Sequence, residues 1–343
     1  MPRKAHAPAR SKPAASAKGG VETPTAETAS AERTTPSLAD NVPDLYEDSE
    51  ISSLRSRAHL YLSLGIPVHF RGRAGMGKTT LAQRVAQEAG RPVSMITGDH
   101  ALVAADLVGR EIGYDSQRVR DRYVHSVSRS EEKVRAVWAD GVLTKAMLEG
   151  HTLIYDEFTR TPPETNNVLL SALEERVLYL NSPLRESAQV RAHPSFKVIF
   201  TSNPDEYSGV KAAPDALFDR MVSVDVSLCS PETEAGIVAF RTGIGQPEAT
   251  GIVTLLRAIR DKLPAANPPS IRTAIMIGKI VRTLGMATSA SDERFVQVCL
   301  DVLESRCPSD TNRAERDRYL DGLRKEILRT GSKPRTAKQE AAA

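Results

Sequence analysis

The sequence predicts an α/β domain built on a parallel five-stranded sheet, followed by a small all-helical domain. Between residues 67 and 226, five short apolar runs alternate with stretches of helical periodicity. This alternation is typical of a parallel sheet covered by helices on both faces. After residue 227 only helical patterns follow. We therefore place the boundary between the two domains near residue 228.

Each predicted element follows from the same patterns. The candidate strands are bounded by polar residues, glycine or proline, and they are residues 67–71, 93–96, 152–155, 197–201 and 221–226. Apolar residues at helical spacing predict helices at 51–64, 78–89, 142–149 and 164–175, and then at 231–240, 251–263, 270–284 and 291–306. Residues 177–196 are typical of a β-hairpin with its turn near Asn181.

The two ends of the chain differ from this patterned region. Residues 1–40 are rich in Ala, Pro, Thr, Ser and Lys and have hardly any large apolar side chains. Such a segment buries too little surface to offset the entropy lost on ordering, which predicts disorder. The predicted organisation is a disordered basic tail at 1–40, the α/β domain at 41–228, a helical lid domain at 229–328 and a disordered tail at 329–343.

Composition narrows the classes of function. The chain has 343 residues and a formal net charge of +3. No apolar run approaches the roughly 20 residues of a membrane-spanning helix, so we expect no membrane association. The three cysteines lack metal-ligand spacing, which favours a reducing, cytoplasmic compartment. The first twenty residues carry five lysines and arginines and no acid. A nucleic-acid motor is therefore a weak alternative, and we do not expect nucleic acid to be a partner.

A glycine-rich segment lies between the first predicted strand and the next helix. It matches the phosphate-binding pattern GxxxxGK[ST] in the strand–loop–helix context that the pattern requires. Backbone N–H groups of such a loop surround phosphate oxygens, and the helix N-terminus favours their negative charge. Lys78 is expected to contact the β- and γ-phosphates, and the Thr79 hydroxyl to bind Mg²⁺. The predicted nucleotide-binding residues here are Gly72, Arg73, Ala74, Gly75, Met76, Gly77, Lys78, Thr79 and Thr80.

Two carboxylates follow the apolar strand at 152–155. The carboxyl ends of parallel strands meet at one edge of a sheet, so Asp156 and Glu157 are expected beside the phosphate loop. In this position Asp156 would hold Mg²⁺ through water, and Glu157 would polarise the attacking water as a general base. The chain lacks the Asn-Lys-x-Asp motif expected of a GTPase, which favours ATP as the nucleotide.

Asn203 follows the strand at 197–201 and is the third predicted catalytic residue. At the tip of a buried strand its amide can hydrogen-bond the attacking water or the γ-phosphate. The alternative is a structural role, because Asn before Pro204 is also a common turn signal.

With these three elements in order, the chain resembles AAA+ ATPases of the MoxR-like branch. Residues 156–163 (DEFTRTPP) look like that branch's Asp-Glu-x-x-Arg-x-x-Pro signature, and residues 169–176 (LLSALEER) look like the helix after it. Residues 217–220 (LFDR) are similar to the segment with the family's trans-acting arginine. The resemblance implies that Arg220 reaches the γ-phosphate of a neighbouring subunit during catalysis. It also aligns Arg272 with a nucleotide-binding arginine at the start of a lid helix.

A more specific resemblance covers residues 45–310 and is strongest from 123 to 175. Within it, residues 123–127 (YVHSV), 131–138 (EEKVRAVW), 152–160 (TLIYDEFTR) and 166–175 (NNVLLSALEE) look like the gas vesicle protein N family. Members of that family are MoxR-like ATPases encoded with gas vesicle genes.

This resemblance implies an ATP- and Mg²⁺-dependent AAA+ ATPase that forms a homo-oligomeric ring, and we expect the ring to be a hexamer. Its clients would be gas vesicle shell or accessory proteins, and its location the cytoplasm at gas vesicles. The charged insert at 115–133 is a candidate for client contact. Two alternatives stay open: a generic MoxR-like chaperone that matures or inserts metal into another complex, and a nucleotide-gated assembly scaffold with incidental hydrolysis.

Overall fold

The computed structural model describes residues 44–119, 131–180, 187–204, 215–227, 229–262, 268–307 and 312–331, and within 113–137 it describes only the backbone. The predicted tail at 1–40 lies outside these ranges, and so does the predicted boundary residue 228. Of the predicted tail at 329–343, only the first three residues are described. The predicted domain limits therefore stay predictions.

Nine strands and twelve α-helices lie within the described ranges. The strands are β1 (Val68–Arg71), β2 (Val93–Thr97), β3 (Gly109–Val119), β4 (Glu131–Asp140), β5 (Thr152–Asp156), β6 (Val177–Tyr179), β7 (Gln189–Arg191), β8 (Lys197–Ser202) and β9 (Val222–Asp225). The helices are α1 (Ser49–Ser63), α2 (Lys78–Glu88), α3 (Ala104–Val108), α4 (Val142–Glu149), α5 (Pro163–Asn166), α6 (Val168–Glu174), α7 (Asp215–Phe218), α8 (Pro231–Thr242), α9 (Gln246–Lys262), α10 (Ile271–Leu284), α11 (Glu293–Glu304) and α12 (Arg313–Gly331).

The main sheet has five strands in the order β2-β5-β8-β1-β9. Every neighbouring pair is parallel, which confirms the predicted fold class and the five predicted strands. At the carboxyl end of β1, Arg71 is paired with Ser202 of β8 on one side and with Asp225 of β9 on the other. The ends of these strands therefore meet at one edge, where the phosphate loop leaves β1.

Helices cover both faces of this sheet. On one face, α1 and α2 pack on the sheet through buried residues such as Leu62 and Val85. On the other face, α4 and α6 pack through residues such as Met147 and Leu169. Side chains of β5 alternate between the faces, as those of a strand buried on both sides must. Burial of apolar surface on both faces thus fixes the strand ends that carry the candidate site.

Helices α8–α12 form a second, separate apolar core. The N-cap of α8 is Ser230, whose hydroxyl accepts from the Thr233 N–H at 3.2 Å, and Pro231 occupies the first turn, as is favoured at a helix start. The four predicted helices of this region are present as α8, α9, α10 and α11. None of the described helices is long and apolar enough to cross a lipid bilayer.

Helix α12 was not predicted, because its apolar stripe is narrow. Only Tyr319, Leu323 and Ile327 of this helix belong to the buried core cluster, one residue per turn on an otherwise polar helix. A stripe of this width is weak as a sequence signal. Docking against α9 and α11 therefore supplies what the local pattern does not show.

Two antiparallel two-stranded ribbons accompany the main sheet. The pairing of β6 with β7 confirms the predicted hairpin, while its predicted turn near Asn181 lies outside the described residues. The pairing of β3 with β4 was not predicted, because the charged sequence there has no clear apolar alternation. This ribbon includes parts of the insert at 115–133, of which residues 120–130 lie outside the described ranges.

Candidate nucleotide-binding site

The phosphate loop requires glycine at several positions. Gly75 and Gly77 have φ angles of +82° and +83°, which side-chain-bearing residues rarely adopt. A Cβ on Gly75 would also overlap Ser270, and a Cβ on Gly72 would overlap the Val226 carbonyl. The loop is thus confined between β9 and the start of α10 and turns back to begin α2.

Lys78 and Thr79 open helix α2 at this loop. Lys78 is only 7% exposed, and its Nζ donates to the Arg73 carbonyl oxygen at 2.8 Å. The ammonium group therefore lies inside the curve of the loop. The Thr79 Oγ1 donates to Asp156 Oδ1 at 2.9 Å, which joins the start of α2 to the end of β5.

Thr201 organises the acidic end of β5, although sequence reasoning did not select it as a site residue. Its fully buried hydroxyl accepts from the Glu157 N–H at 2.9 Å and donates to Asp156 Oδ1 at 2.5 Å. The only sequence signal was its place near the end of the neighbouring strand β8. A single hydroxyl thus fixes both the Asp156 carboxylate and the backbone of Glu157.

Glu157 lies immediately after β5 in a left-handed backbone conformation, with φ +52°. For a residue other than glycine this conformation is uncommon and indicates a local constraint. Its carboxylate pairs with Arg160, with 2.7 Å between Oε2 and Nη1. Gly98 permits the close approach, because a Cβ there would overlap the Glu157 carbonyl. The turn thereby presents the Glu157 side chain toward the phosphate loop, where it lines the cavity with Asp156.

A cavity of about 210 Å³ extends from this acidic edge to the helical region. Seven of the nucleotide-binding residues predicted at 72–80 line it, from Ala74 to Thr80, and so does Arg272. Its other end is apolar and includes residues that the sequence analysis did not identify. These are Asp44, Leu45, Tyr46, Ile51, Leu54, Ile237, Arg241, Ile271 and Ile275.

The segment before α1 holds the apolar end of this cavity together. The Arg241 Nη1 of α8 donates to the Asp44 carbonyl oxygen at 3.2 Å. The Tyr46 ring packs on Phe240, with 6.1 Å between centroids. Asp48 caps α1 and also accepts from the Thr233 hydroxyl of α8. The cavity wall is thus made jointly by the start of the described chain and by the helical region.

A buried ion network positions the start of α10. Glu234 of α8 is fully buried and accepts from Arg257 at 3.0 Å and from Arg260 at 2.9 Å. Arg260 also donates to the Pro269 carbonyl oxygen at 2.6 Å. This places Ser270 and Arg272 against the phosphate loop. The buried Glu234 carboxylate thus has two cationic partners, as burial of a charge requires.

Four predicted site residues are not among the described residues that line this cavity. Gly72 and Arg73 line an adjoining depression together with Pro204. Asn203 is 7% exposed and directly follows β8, which lies between β5 and β1 at the same sheet edge. Arg220 lies just after α7, where Nε donates to Glu174 Oε2 at 2.9 Å and Nη1 donates to the Ala216 carbonyl oxygen.

These residues fit a nucleotide with a divalent cation. A loop in which Gly72 and Gly75 leave no room for a Cβ atom, with a buried ammonium inside its curve, suits a polyphosphate. The hydroxyl of Thr79 and the carboxylate of Asp156, already in contact, are oxygen ligands of the kind that Mg²⁺ prefers. The apolar end of the cavity suits a flat base.

The chain is similar to several known proteins. Residues 67–221 match the AAA domain of the dynein-related subfamily. Over 289 residues the chain is 44% identical to "Gas vesicle ATPase GvpN" of Ancylobacter aquaticus, covering 84% of this chain and 81% of that protein. The protein of the same name from Haloferax mediterranei is 41% identical over 76% of this chain and 74% of its own length.

Among solved structures, NtrX from Brucella abortus in complex with ADP has a TM-score of 0.50 and 18% identity, covering 87% of this chain and 67% of that one. This similarity supports the fold alone. Identity above 40% across about four-fifths of both chains shows more: the chain belongs to the gas vesicle ATPase GvpN family and is an AAA+ ATP hydrolase.

Proposed function

We propose that this ATPase remodels gas vesicle shell or accessory proteins in the cytoplasm, as a hexameric ring that promotes vesicle assembly and growth. The observation that carries the proposal is the 44% identity to the Ancylobacter aquaticus gas vesicle ATPase. The cavity supports the mechanical part, because α8 and α10 line it together with the phosphate loop. A change of nucleotide there can move the helical region against the sheet.

In the binding step, backbone N–H groups of residues 72–79 and the Lys78 ammonium hold the β- and γ-phosphates of ATP. Arg272, which lines the cavity from α10, contacts the same phosphates from the helical region. Thr79 and Asp156 would hold Mg²⁺, which when bound neutralises part of the phosphate charge. The apolar end of the cavity around Tyr46 receives the adenine base.

In the hydrolysis step, Glu157 accepts a proton from water as the water oxygen attacks the γ-phosphorus. The bond between that phosphorus and the bridging oxygen breaks, and ADP leaves. Asn203 orients the attacking water. Before it can accept this proton, the Glu157 carboxylate must leave its ion pair with Arg160. That ion pair is therefore the resting arrangement of the site. Arg220 of a neighbouring subunit stabilises the developing charge, so the rate depends on assembly.

The test is a pull-down from native cells with Glu157→Gln plus ATP, compared with Lys78→Ala and read by mass spectrometry. Glu157→Gln is expected to bind ATP without turning it over and so to hold its client. Enrichment of gas vesicle shell or accessory proteins with Glu157→Gln alone supports the proposal. Enrichment of another complex instead would favour a generic MoxR-like chaperone.

Two further variants separate the remaining alternatives. A nucleotide-gated scaffold predicts that Glu157→Gln restores vesicles in cells that lack the protein, whereas remodelling requires turnover and predicts that it does not. A nucleic-acid role based on the basic tail predicts that deletion of residues 1–38 abolishes DNA affinity.

A further inference from the structure

His69 is a buried titratable residue that the proposed mechanism does not use. It lies on β1 and is fully buried. Its Nε2 is 2.8 Å from the Ser202 hydroxyl on β8, and its Nδ1 is 2.9 Å from the Ser223 hydroxyl on β9. The three side chains form a polar row across three adjacent strands, on the face of the sheet that carries Phe158 and Phe218.

The rings around His69 belong to other parts of the candidate site. Phe158 meets the imidazole edge-on, with 5.3 Å between centroids, and Phe218 of α7 meets it at 5.6 Å. Phe158 and Phe218 also contact each other, with 5.9 Å between centroids. The imidazole is therefore held from all sides by side chains of four different elements.

Each neighbour of His69 is close in the chain to a proposed catalytic residue. Phe158 directly follows Glu157, and Ser202 directly precedes Asn203. Phe218 lies two residues before Arg220, and Ser223 lies three residues after it. Any displacement of one of these elements thus reaches the others through the imidazole.

We propose that His69 is a positioning residue that couples the nucleotide-facing residues of one subunit to the Arg220 that the same subunit offers to its neighbour. The proposal rests on the trans-acting role of Arg220 proposed above. When Asn203 and Glu157 rearrange around nucleotide, the row from Ser202 through His69 to Ser223 moves the turn that carries Arg220. Successive sites in a ring are thereby linked.

Burial of the imidazole gives the hydrogen bonds of this row a fixed direction, with one nitrogen as donor and the other as acceptor. Loss of hydration is the main cause that lowers the pKa of His69 to about 4; the nearby Arg71 charge acts in the same direction and Asp225 opposes it. The ring is therefore neutral near neutral pH, with one nitrogen donating and the other accepting. One serine must donate to the ring and the other must accept from it. An apolar ring of similar size fills the space but cannot supply this connection.

The test mixes active subunits with Glu157→Gln subunits and follows ATPase rate against the fraction of inactive subunits. For the wild-type chain, coupled sites predict a fall steeper than proportional. With His69→Phe or Ser223→Ala as the active partner, we expect a proportional fall and nucleotide affinity within about threefold of wild type. Ser223 is exposed, so its substitution leaves folding intact. Val68→Ala is the matched control, since it shrinks a buried side chain of β1 in the opposite core.

The outcomes separate this inference from the mechanism on which it rests. A steep wild-type curve that His69→Phe and Ser223→Ala both leave steep would overturn the coupling role of His69 alone. The same loss of steepness in Val68→Ala would show a general effect of destabilising β1 and would also overturn it. A proportional curve for the wild-type chain would also overturn the coupling, because Glu157→Gln subunits still offer Arg220 to their neighbours. Full activity of Arg220→Ala would overturn the proposed trans mechanism itself.

Discussion

The phosphate half of the cavity, which is the end lined by Lys78, Thr79 and Asp156, differs from the turn after α7 that carries Arg220 (the Arg220 turn) in what it contacts within one chain. Lys78, Thr79 and Asp156 are already joined through the loop and the end of β5. Arg220 instead pairs with Glu174 of α6 and lies outside the described cavity lining. Under the proposed mechanism, one chain therefore has the groups that bind nucleotide, while rapid hydrolysis needs an arginine from a second chain.

The Arg220 turn is expected to give the largest effect. Arg220→Ala should lower kcat by about 1000-fold, because a guanidinium at the γ-phosphate is worth at least this factor in related chemistry. ATP affinity should stay within about threefold of wild type, since binding relies on the phosphate half of the cavity. Steady-state ATPase assays with a parallel binding measurement check both values.

Glu174→Ala is the matched control for Arg220. It removes the partner of Arg220 within the chain but leaves the guanidinium. If Arg220 acts in trans, Glu174→Ala should keep kcat within a few-fold of wild type. Equal losses of kcat in Glu174→Ala and Arg220→Ala would instead indicate that the ion pair between these residues has only a structural role. Arg220 would then not act in trans.

A substitution in the phosphate half should instead weaken ATP binding. Lys78→Ala should weaken ATP binding by about 100-fold or more, because charge-assisted hydrogen bonds to phosphate are lost. A fluorescent ATP analogue gives the affinity, and Lys279→Ala, on the exposed surface of α10, serves as control. An affinity for Lys78→Ala close to that of the control would exclude this loop as the nucleotide site.

A substitution at the apolar end of the cavity tests how far ATP binding depends on the helical region. Tyr46→Ala removes a ring that lines the cavity and packs on Phe240. We expect about tenfold weaker ATP binding from the lost apolar contact, with kcat at saturation nearly unchanged. Tyr179→Ala is the matched control, because Tyr179 on β6 is 59% exposed. A drop in kcat at unchanged affinity would instead assign Tyr46 to movement of the lid.

Sequence patterns predicted the parts of the site whose residues are neighbours in the chain. The phosphate loop and the Asp156–Glu157 pair each follow a short apolar strand, and a parallel sheet brings such strand ends together. The apolar end of the cavity was missed, because Tyr46 and Ile237 lie far apart in sequence and resemble ordinary core residues. Their proximity follows only from the docking of α8 on the segment before α1.

Thr201 and β3–β4 were missed for different physical reasons. A threonine within a buried strand is common, and only its two hydrogen bonds, to Asp156 and from Glu157, reveal its role. The β3–β4 ribbon is held by backbone pairing from Gly109 to Val119, with one register shift after Ile112, and a charged sequence does not display such pairing as a pattern.

The smallest predicted effect concerns His69, which lies between the two regions compared above. In the unfolded chain the pKa of a histidine is about 6.5, whereas burial lowers it to about 4 in the fold. Between these values the unfolded chain binds a proton that the folded chain does not. The stability that this difference provides is complete above the unfolded pKa and is lost as the pH falls toward the folded pKa.

From about pH 7 to about pH 5.5, the free energy of unfolding of the wild-type chain should fall by about 1 kcal/mol more than that of His69→Gln. Urea unfolding at the two pH values measures this difference, and other titrating groups cancel in the comparison. Equal losses in both chains would mean that the imidazole takes up its proton in the folded state as readily as in the unfolded one. In that case solvent would reach the imidazole itself, and the row from Ser202 through His69 to Ser223 would not provide a rigid connection between the phosphate half and the Arg220 turn.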